Sequence, residues 1–143
     1  MVYELSISKW GPAAWHYLHA VSFTYPVEPT SEVKDNMFVF LHSFAKTIPC
    51  SKCKTHFETY LNENLKTKSP SLDSRDNLIE FINTAHNSVN KRLGKKIYSL
   101  EECKDRFLSV KPETSPLVSF LLFISLLTLI ILLVKRYKKR RVR

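Results

Sequence analysis

Lys46-Thr47-Ile48-Pro49-Cys50-Ser51-Lys52-Cys53-Lys54-Thr55-His56-Phe57 closes one amphipathic helix and opens another. Upstream, Val33, Met37, Phe40, Leu41, Phe44 and Ile48 recur at intervals of three, four and one, which puts them on one buried helical face. Pro49 lacks the N–H needed to continue that helix. Downstream, Cys53, Phe57, Leu61 and Leu65 are each four apart, so a second apolar stripe starts at the cysteine pair itself. Two thiols separated by two residues can close a disulfide across one turn or supply half of a metal site. Spacing alone leaves both readings open.

Working outward, Pro12 is expected to start a short first helix that ends before Tyr25-Pro26. Thr30 or Ser31 can cap the second helix. Residues 66–74, with Ser69-Pro70-Ser71, read as a loop. A fourth helix is expected from Asp76 to Leu93, with Leu78, Ile82, Ala85, Val89 and Leu93 on one face and Gly94 as its stop. Ser99-Leu100-Glu101-Glu102 is a capping box that opens a fifth, short helix. Only two glycines and no apolar–polar alternation argue for an all-α chain. The expected fold is an antiparallel four-helix bundle plus a short fifth helix, followed by a single C-terminal transmembrane helix.

That last element rests on residues 117–134, which carry no charge. Eighteen helical residues span about 27 Å, close to the thickness of a bilayer's hydrocarbon core. The expected boundaries are a domain at 1–110, a linker at 111–116 holding Pro112 and Pro116, the span at 117–134 and a basic tail at 135–143. The tail holds seven Lys or Arg and no acid. The net charge of +9 is therefore local: without the tail, fifteen basic residues face thirteen acidic ones. A nearly neutral domain gives no footing for nucleic-acid binding. Three cysteines, an odd number, exclude a small disulfide scaffold. Met1-Val2-Tyr3-Glu4-Leu5-Ser6 shows no basic region followed by an apolar run, so no signal peptide is expected. A late-inserting C-terminal span leaves the domain facing the cytosol, with the membrane of a virion as another setting. The basic tail resists translocation and argues the opposite topology.

The two cysteines are not equivalent. Cys50 lies where the free N–H groups and dipole of a helix start stabilise a thiolate, with Lys52 adding positive charge. Cys53 begins the inward stripe. One thiol is then open to a partner while the other faces the interior, which suits a relay of electrons inward. The competing reading is a zinc-stabilised helical interaction module on a membrane, with Cys103 and one of His19, His56 or His86 completing the ligands. Trp15 and His19 share a face of the first helix, and His86 and Asn90 share one on the fourth, with Asn87 adjacent. Two faces rich in aromatic and amide groups suit a planar cofactor held between helices.

In order along the chain, Trp10-Gly11-Pro12-Ala13-Ala14-Trp15-His16-Tyr17-Leu18-His19, Tyr25-Pro26, Pro49-Cys50-Ser51-Lys52-Cys53 and His86-Asn87-Ser88-Val89-Asn90-Lys91-Arg92-Leu93-Gly94-Lys95 resemble the Erv/ALR family of FAD-linked sulfhydryl oxidases. The compact form with a membrane span is most similar to members from large DNA viruses. The resemblance implies non-covalent FAD and a homodimer formed through the first helices. It implies a reaction in which a protein dithiol and oxygen give a disulfide and hydrogen peroxide. Cys53 would sit beside the flavin and Cys50 would be attacked by substrate. Gly11, Trp15 and His19 would pack on the cofactor and Tyr25 would border it. His86, Asn87 and Asn90 would line its adenine and ribose side, with Lys91 and Lys95 helping to hold that end.

Three departures from the family matter. Pro12 stands where an Arg is frequent. Cys103 has no partner for a staple, since the opposite position, expected near Asn62 at the end of the third helix, is not a cysteine; it reads as a small buried hydrophobe. No second cysteine pair exists to act as a shuttle. A small thioredoxin-like or virion dithiol protein would then meet Cys50 directly.

Overall fold

The computed structural model describes residues 5–108 and 116–141; within the last segment the side chains of 116–119, 122 and 138–140 lie outside the description. Of the expected linker at 111–116, residues 111–115 also fall outside it, as do the first four residues, while Pro116 begins a helix. The chain divides into two compact units, Met1–Ser109 and Val110–Arg143.

The first unit is all-helical among the described residues: α1 (Ile7–Thr24), α2 (Ser31–Thr47), α3 (Ser51–Asn64), α4 (Arg75–Arg92) and α5 (Leu100–Leu108). A single 3-10 turn, Pro70–Leu72, interrupts the stretch read as loop and buries Leu72 completely. Local chemistry fixes the boundaries. Thr30 Oγ1 accepts the Val33 N–H at 3.3 Å, and Ser74 Oγ accepts the Asn77 N–H at 3.2 Å. Ser99 and Glu102 form the expected reciprocal box, at 3.1 and 2.8 Å. Gly94 takes φ +63°, a left-handed position where a side chain would be strained, and there the chain leaves α4.

Two expectations need correction. Helix α1 starts at Ile7, not at Pro12, so Pro12 lies inside it. A proline one and a half turns in removes the N–H that would have bonded the Ser8 carbonyl but does not stop the first turn from forming. On α4 the predicted stripe runs too far: Leu93 is 55% exposed, while Phe81 and Asn83 are buried. The helix buries a broader face than one stripe, because it packs against both α1 and the 3-10 turn.

Leu18, Leu41, Ala45, Phe57, Leu61, Leu65, Leu78 and Ile82 make the continuous core, contributed by α1 to α4 and the end of α3. Half-buried Val33, Met37, Phe40, Phe44 and Ile48 of α2 pack against it, as the stripe requires. Two hydrogen bonds lock the far end of the bundle: Tyr25 Oη donates to the Leu72 carbonyl at 3.0 Å, and Arg75 Nε donates to the Tyr25 carbonyl at 2.6 Å.

In the second unit, α6 (Pro116–Arg141) is one continuous helix of 26 residues. Among the described residues no helix is long and apolar enough to cross a membrane. The span expected at 117–134 falls partly outside the described side chains, those of 117–119 and 122.

Candidate active site

A cavity of about 520 Å³ opens between α1, α3, α4 and α5. That size falls in the range of cofactor and ligand sites. Cys50 is the N-cap of α3, half-buried, and is disulfide-bonded to Cys53 with a Cα–Cα separation of 5.2 Å. Its Sγ accepts the Cys53 N–H at 3.2 Å, satisfying one of the free donors of the helix start. Cys53 lines the cavity and Cys50 does not. Cys50 and Cys53 are both half-buried, and what separates them is that Cys53 alone is in the cavity wall.

Trp15 and His86 face each other across the cavity wall, with ring centroids 4.2 Å apart and planes within 6° of parallel. Trp15 also meets the edge of Phe57 at 5.7 Å, which ties this stack to the cysteine-bearing helix. Behind the stack runs a polar chain: Cys103 Sγ lies 3.5 Å from His19 Nδ1, and His19 Nε2 lies 3.0 Å from His86 Nδ1. Burial pushes both imidazoles from 6.5 down to about 4, with positive charge from Arg106 acting on each in the same direction. Burial also raises the Cys103 thiol. With the thiol and both imidazoles neutral at pH 7, the donor in each of these two contacts is set by the imidazole tautomers.

Of the residues expected to hold a cofactor, Gly11, Trp15, His19, His86, Asn90 and Lys95 line the cavity. A Cβ on Gly11 would meet only Ile7 Cγ2, at an ordinary 3.5 Å, so no close approach demands glycine there. Tyr25, Asn87 and Lys91 are placed elsewhere. Tyr25 is buried in the 3-10 turn lock described above, and Lys91 is exposed. Asn87 acts at one remove: its Nδ2 donates to the Tyr98 carbonyl at 2.7 Å, and its Oδ1 accepts the Tyr98 N–H at 3.0 Å. This clamp fixes Tyr98, which does line the cavity. Asn83, Tyr98, Arg106 and Phe107 are wall residues that the sequence reading missed. The signal was available: Cys103, Arg106 and Phe107 stand at i, i+3 and i+4 after a recognisable capping box, and Asn83 is one turn before His86.

α5 packs on α4, and Cys103 faces His19 on α1. Cys103 is buried and free, as a small apolar residue would be, but its Sγ also lies within hydrogen-bond distance of His19 Nδ1. Among the described residues no group of three His, Cys, Asp or Glu side chains is placed to hold a metal ion.

The donor set fits a large planar cofactor with a charged arm. Trp10 Nε1 lines the cavity, buried and without a hydrogen-bond partner among the described residues. An aromatic and apolar end near Cys53 passes into an end with Asn90, Lys95, Lys96 and Arg106, suited to hydroxyl and phosphate groups. A redox disulfide at the N-terminus of a helix, set against such a cavity in a five-helix unit, defines a cofactor-linked thiol–disulfide protein.

The family model described as Erv1/Alr matches residues 12–108. A protein of Acanthamoeba polyphaga mimivirus named probable FAD-linked sulfhydryl oxidase is 36% identical over 98 residues, covering 68% of each chain. The FAD-linked sulfhydryl oxidase of an African swine fever virus isolate is 34% identical over 96 residues, covering 67% of this chain and 77% of its own. Of the mitochondrial FAD-linked sulfhydryl oxidase of Schizosaccharomyces pombe, 35% identical, this chain spans only about half, 51%. Among solved structures, the yeast Erv1 core superposes with a TM-score of 0.67 at 34% identity, over 74% of this chain and 86% of that one. The chain belongs to the Erv1/Alr family.

Proposed function

We propose that this protein is an FAD-dependent sulfhydryl oxidase that makes disulfides in partner proteins. The observation that carries this reading is the Cys50–Cys53 disulfide, with Cys53 in the cavity wall and Cys50 outside it. A substrate thiolate attacks Cys50 Sγ, the Cys50–Cys53 bond breaks, and Cys53 leaves as a thiolate. The second substrate thiol displaces Cys50, releasing the oxidised partner and leaving the pair reduced. FAD, when bound, supplies the route by which two electrons from that pair reach oxygen and yield hydrogen peroxide. The α3 N-terminus favours the Cys53 thiolate, and Trp15 meets the edge of Phe57 in the same cavity wall. Neutral His19 and His86 hold Trp15 in its stacked orientation without placing a cation beside the apolar end of the cavity. Gly11, Trp15, His19, His86, Asn90 and Lys95 would contact the cofactor, with Asn83, Tyr98 and Arg106 added by the cavity wall.

The reading extends to the second unit. Residues 117–134 would form a single membrane span, residues 111–116 a linker and 135–143 a basic tail, with the catalytic domain of residues 1–110 facing the cytosol or mounted on a virion membrane. What supports this is the uncharged run inside a continuous helix whose described apolar side chains, among them Phe120, Phe123 and Leu132, are exposed. A homodimer through the first helices is favoured by Tyr17, 54% exposed, beside a shallow apolar hollow between α1 and α2. The substrate would be a small dithiol protein.

Purified protein should be yellow with a flavin spectrum and should consume oxygen when given dithiothreitol. A colourless preparation carrying one zinc per chain would overturn the oxidase reading. Protease protection of residues 1–110 in sealed microsomes tests the topology; full protection would place the domain in the lumen.

A further inference from the structure

We infer that the lip around Cys50 selects substrate dithiols flanked by acidic residues. This rests on the oxidase reading above and names the chemistry of its partner. Between Asp35 and Glu58 the chain has no acid, and it carries Lys46, Lys52 and Lys54. Lys46 lies in the last turn of α2, and Lys52 and Lys54 lie in the first turn and a half of α3. Consecutive Cα atoms are about 3.8 Å apart, so Lys52 cannot be more than roughly 8 Å from Cys50 along the backbone, nor Lys46 more than about 15 Å. Lys46 and Lys52 are exposed and Lys54 is half-buried. None of the three has an ion-pair partner among the described residues, whereas Lys34, Lys96 and Lys104 each have one. The nearest acid down α3, Glu58, is a full turn beyond Lys54.

The placement runs against helix stability. Cations near a helix N-terminus are unfavourable, and acids there are favourable. Helices α2, α4 and α5 follow that rule with Glu32, Asp76 and Glu101–Glu102 in their first turns. Helix α3 has none. The remainder of the domain is close to neutral in sum; its other basic run, Lys91, Arg92, Lys95 and Lys96, lies at the C-terminal end of α4 and just beyond it. The free N–H groups of α3 act in the same sense as its lysines. Such a surface raises the encounter rate of a negatively charged partner and of the thiolate that must attack Cys50.

The partner commits two thiols. Its first thiolate forms a mixed disulfide with Cys50 as Cys53 leaves. Its second thiolate then closes the partner's own disulfide and expels Cys50, so two electrons and no other group pass to the pair.

The test uses the full chain with FAD bound and three reductants: dithiothreitol, and two synthetic Cys-x-x-Cys peptides that differ only in having Glu or Lys flanks. At low salt the Glu peptide should be oxidised with kcat/KM about tenfold above the Lys peptide, carried by KM, and the gap should shrink below about twofold at high salt. Lys46→Glu with Lys54→Glu should reverse the preference between the two peptides, each rate taken relative to dithiothreitol turnover by the same variant. Lys46→Gln with Lys54→Gln should abolish the preference if the double reversal does not fold. Oxidation of dithiothreitol with equal, salt-independent use of both peptides would overturn the inference and leave the oxidase standing. Failure to oxidise dithiothreitol with flavin bound would overturn both.

Discussion

Cys53 and Cys103 line one cavity, yet the molecule gives them opposite chemistry. Cys53 is in the first turn of α3, bonded to Cys50, with free helix N–H groups and lysines nearby. Cys103 is 4% exposed, and its thiol is raised by burial and points at a neutral histidine. The amino acid is the same and the cavity is the same. What differs is the position along a helix and the charge of the neighbours. A cysteine becomes redox-active where its thiolate is stabilised and a partner sulfur lies within reach, and inert where only its neutral form is.

The largest expected effect comes from breaking the reactive side. Cys53→Ser should lower dithiol-dependent oxygen consumption by on the order of 10³-fold or more while the flavin spectrum persists. Retained turnover would mean that electrons do not pass through Cys53.

Removing core support beneath both sulfurs comes next. Leu61 is fully buried one turn below Phe57, and Leu61→Ala should cost about 2–5 kcal/mol in denaturant unfolding. A loss under about 1 kcal/mol would show that α3 is held by something other than this packing.

Acid titration probes the inert side. In the unfolded chain His19 and His86 bind protons near 6.5, and in the folded chain only near 4. Between those values the unfolded state holds more protons, so the stability present above pH 6.5 is lost as pH falls toward 4. Melting temperature should decline across that window, and the decline should be shallower in His19→Gln. An identical slope in the variant would remove His19 from the linkage.

The smallest effect is expected at Cys103 itself. Cys103→Ala should leave turnover nearly intact and cost roughly 1–2 kcal/mol, the consequence of a small cavity and a lost contact with His19. A severe activity loss would erase the contrast between the two cysteines.

Periodicity and punctuation made most of the bundle legible. The stripe from Val33 to Ile48, Pro49 as a stop, the Ser99–Glu102 box and the left-handed Gly94 all work within one or two turns. The start of α1 was less legible, because proline is usual in the first turn, and here the helix begins five residues earlier and gives up the hydrogen bond to the Ser8 carbonyl. The site divides in the same manner. Trp15, His19, His86 and Asn90 could be paired on helical faces before any contact was known. Tyr25 and Asn87 could not be assigned, since their side chains turn to the Leu72 and Tyr98 backbone, 47 and 11 residues away.

The sequence by itself determined the helical class, the unequal placement of Cys50 and Cys53, and the concentration of charge in the tail and around the pair, because each depends on neighbours within a few residues. Only the tertiary structure decided which faces meet. It set His86 on Trp15, brought Cys103 to His19, and added Asn83, Tyr98 and Arg106 to the cavity wall. Those contacts depend on how helices cross and how far a buried face extends, and side-chain packing between segments distant in sequence fixes both.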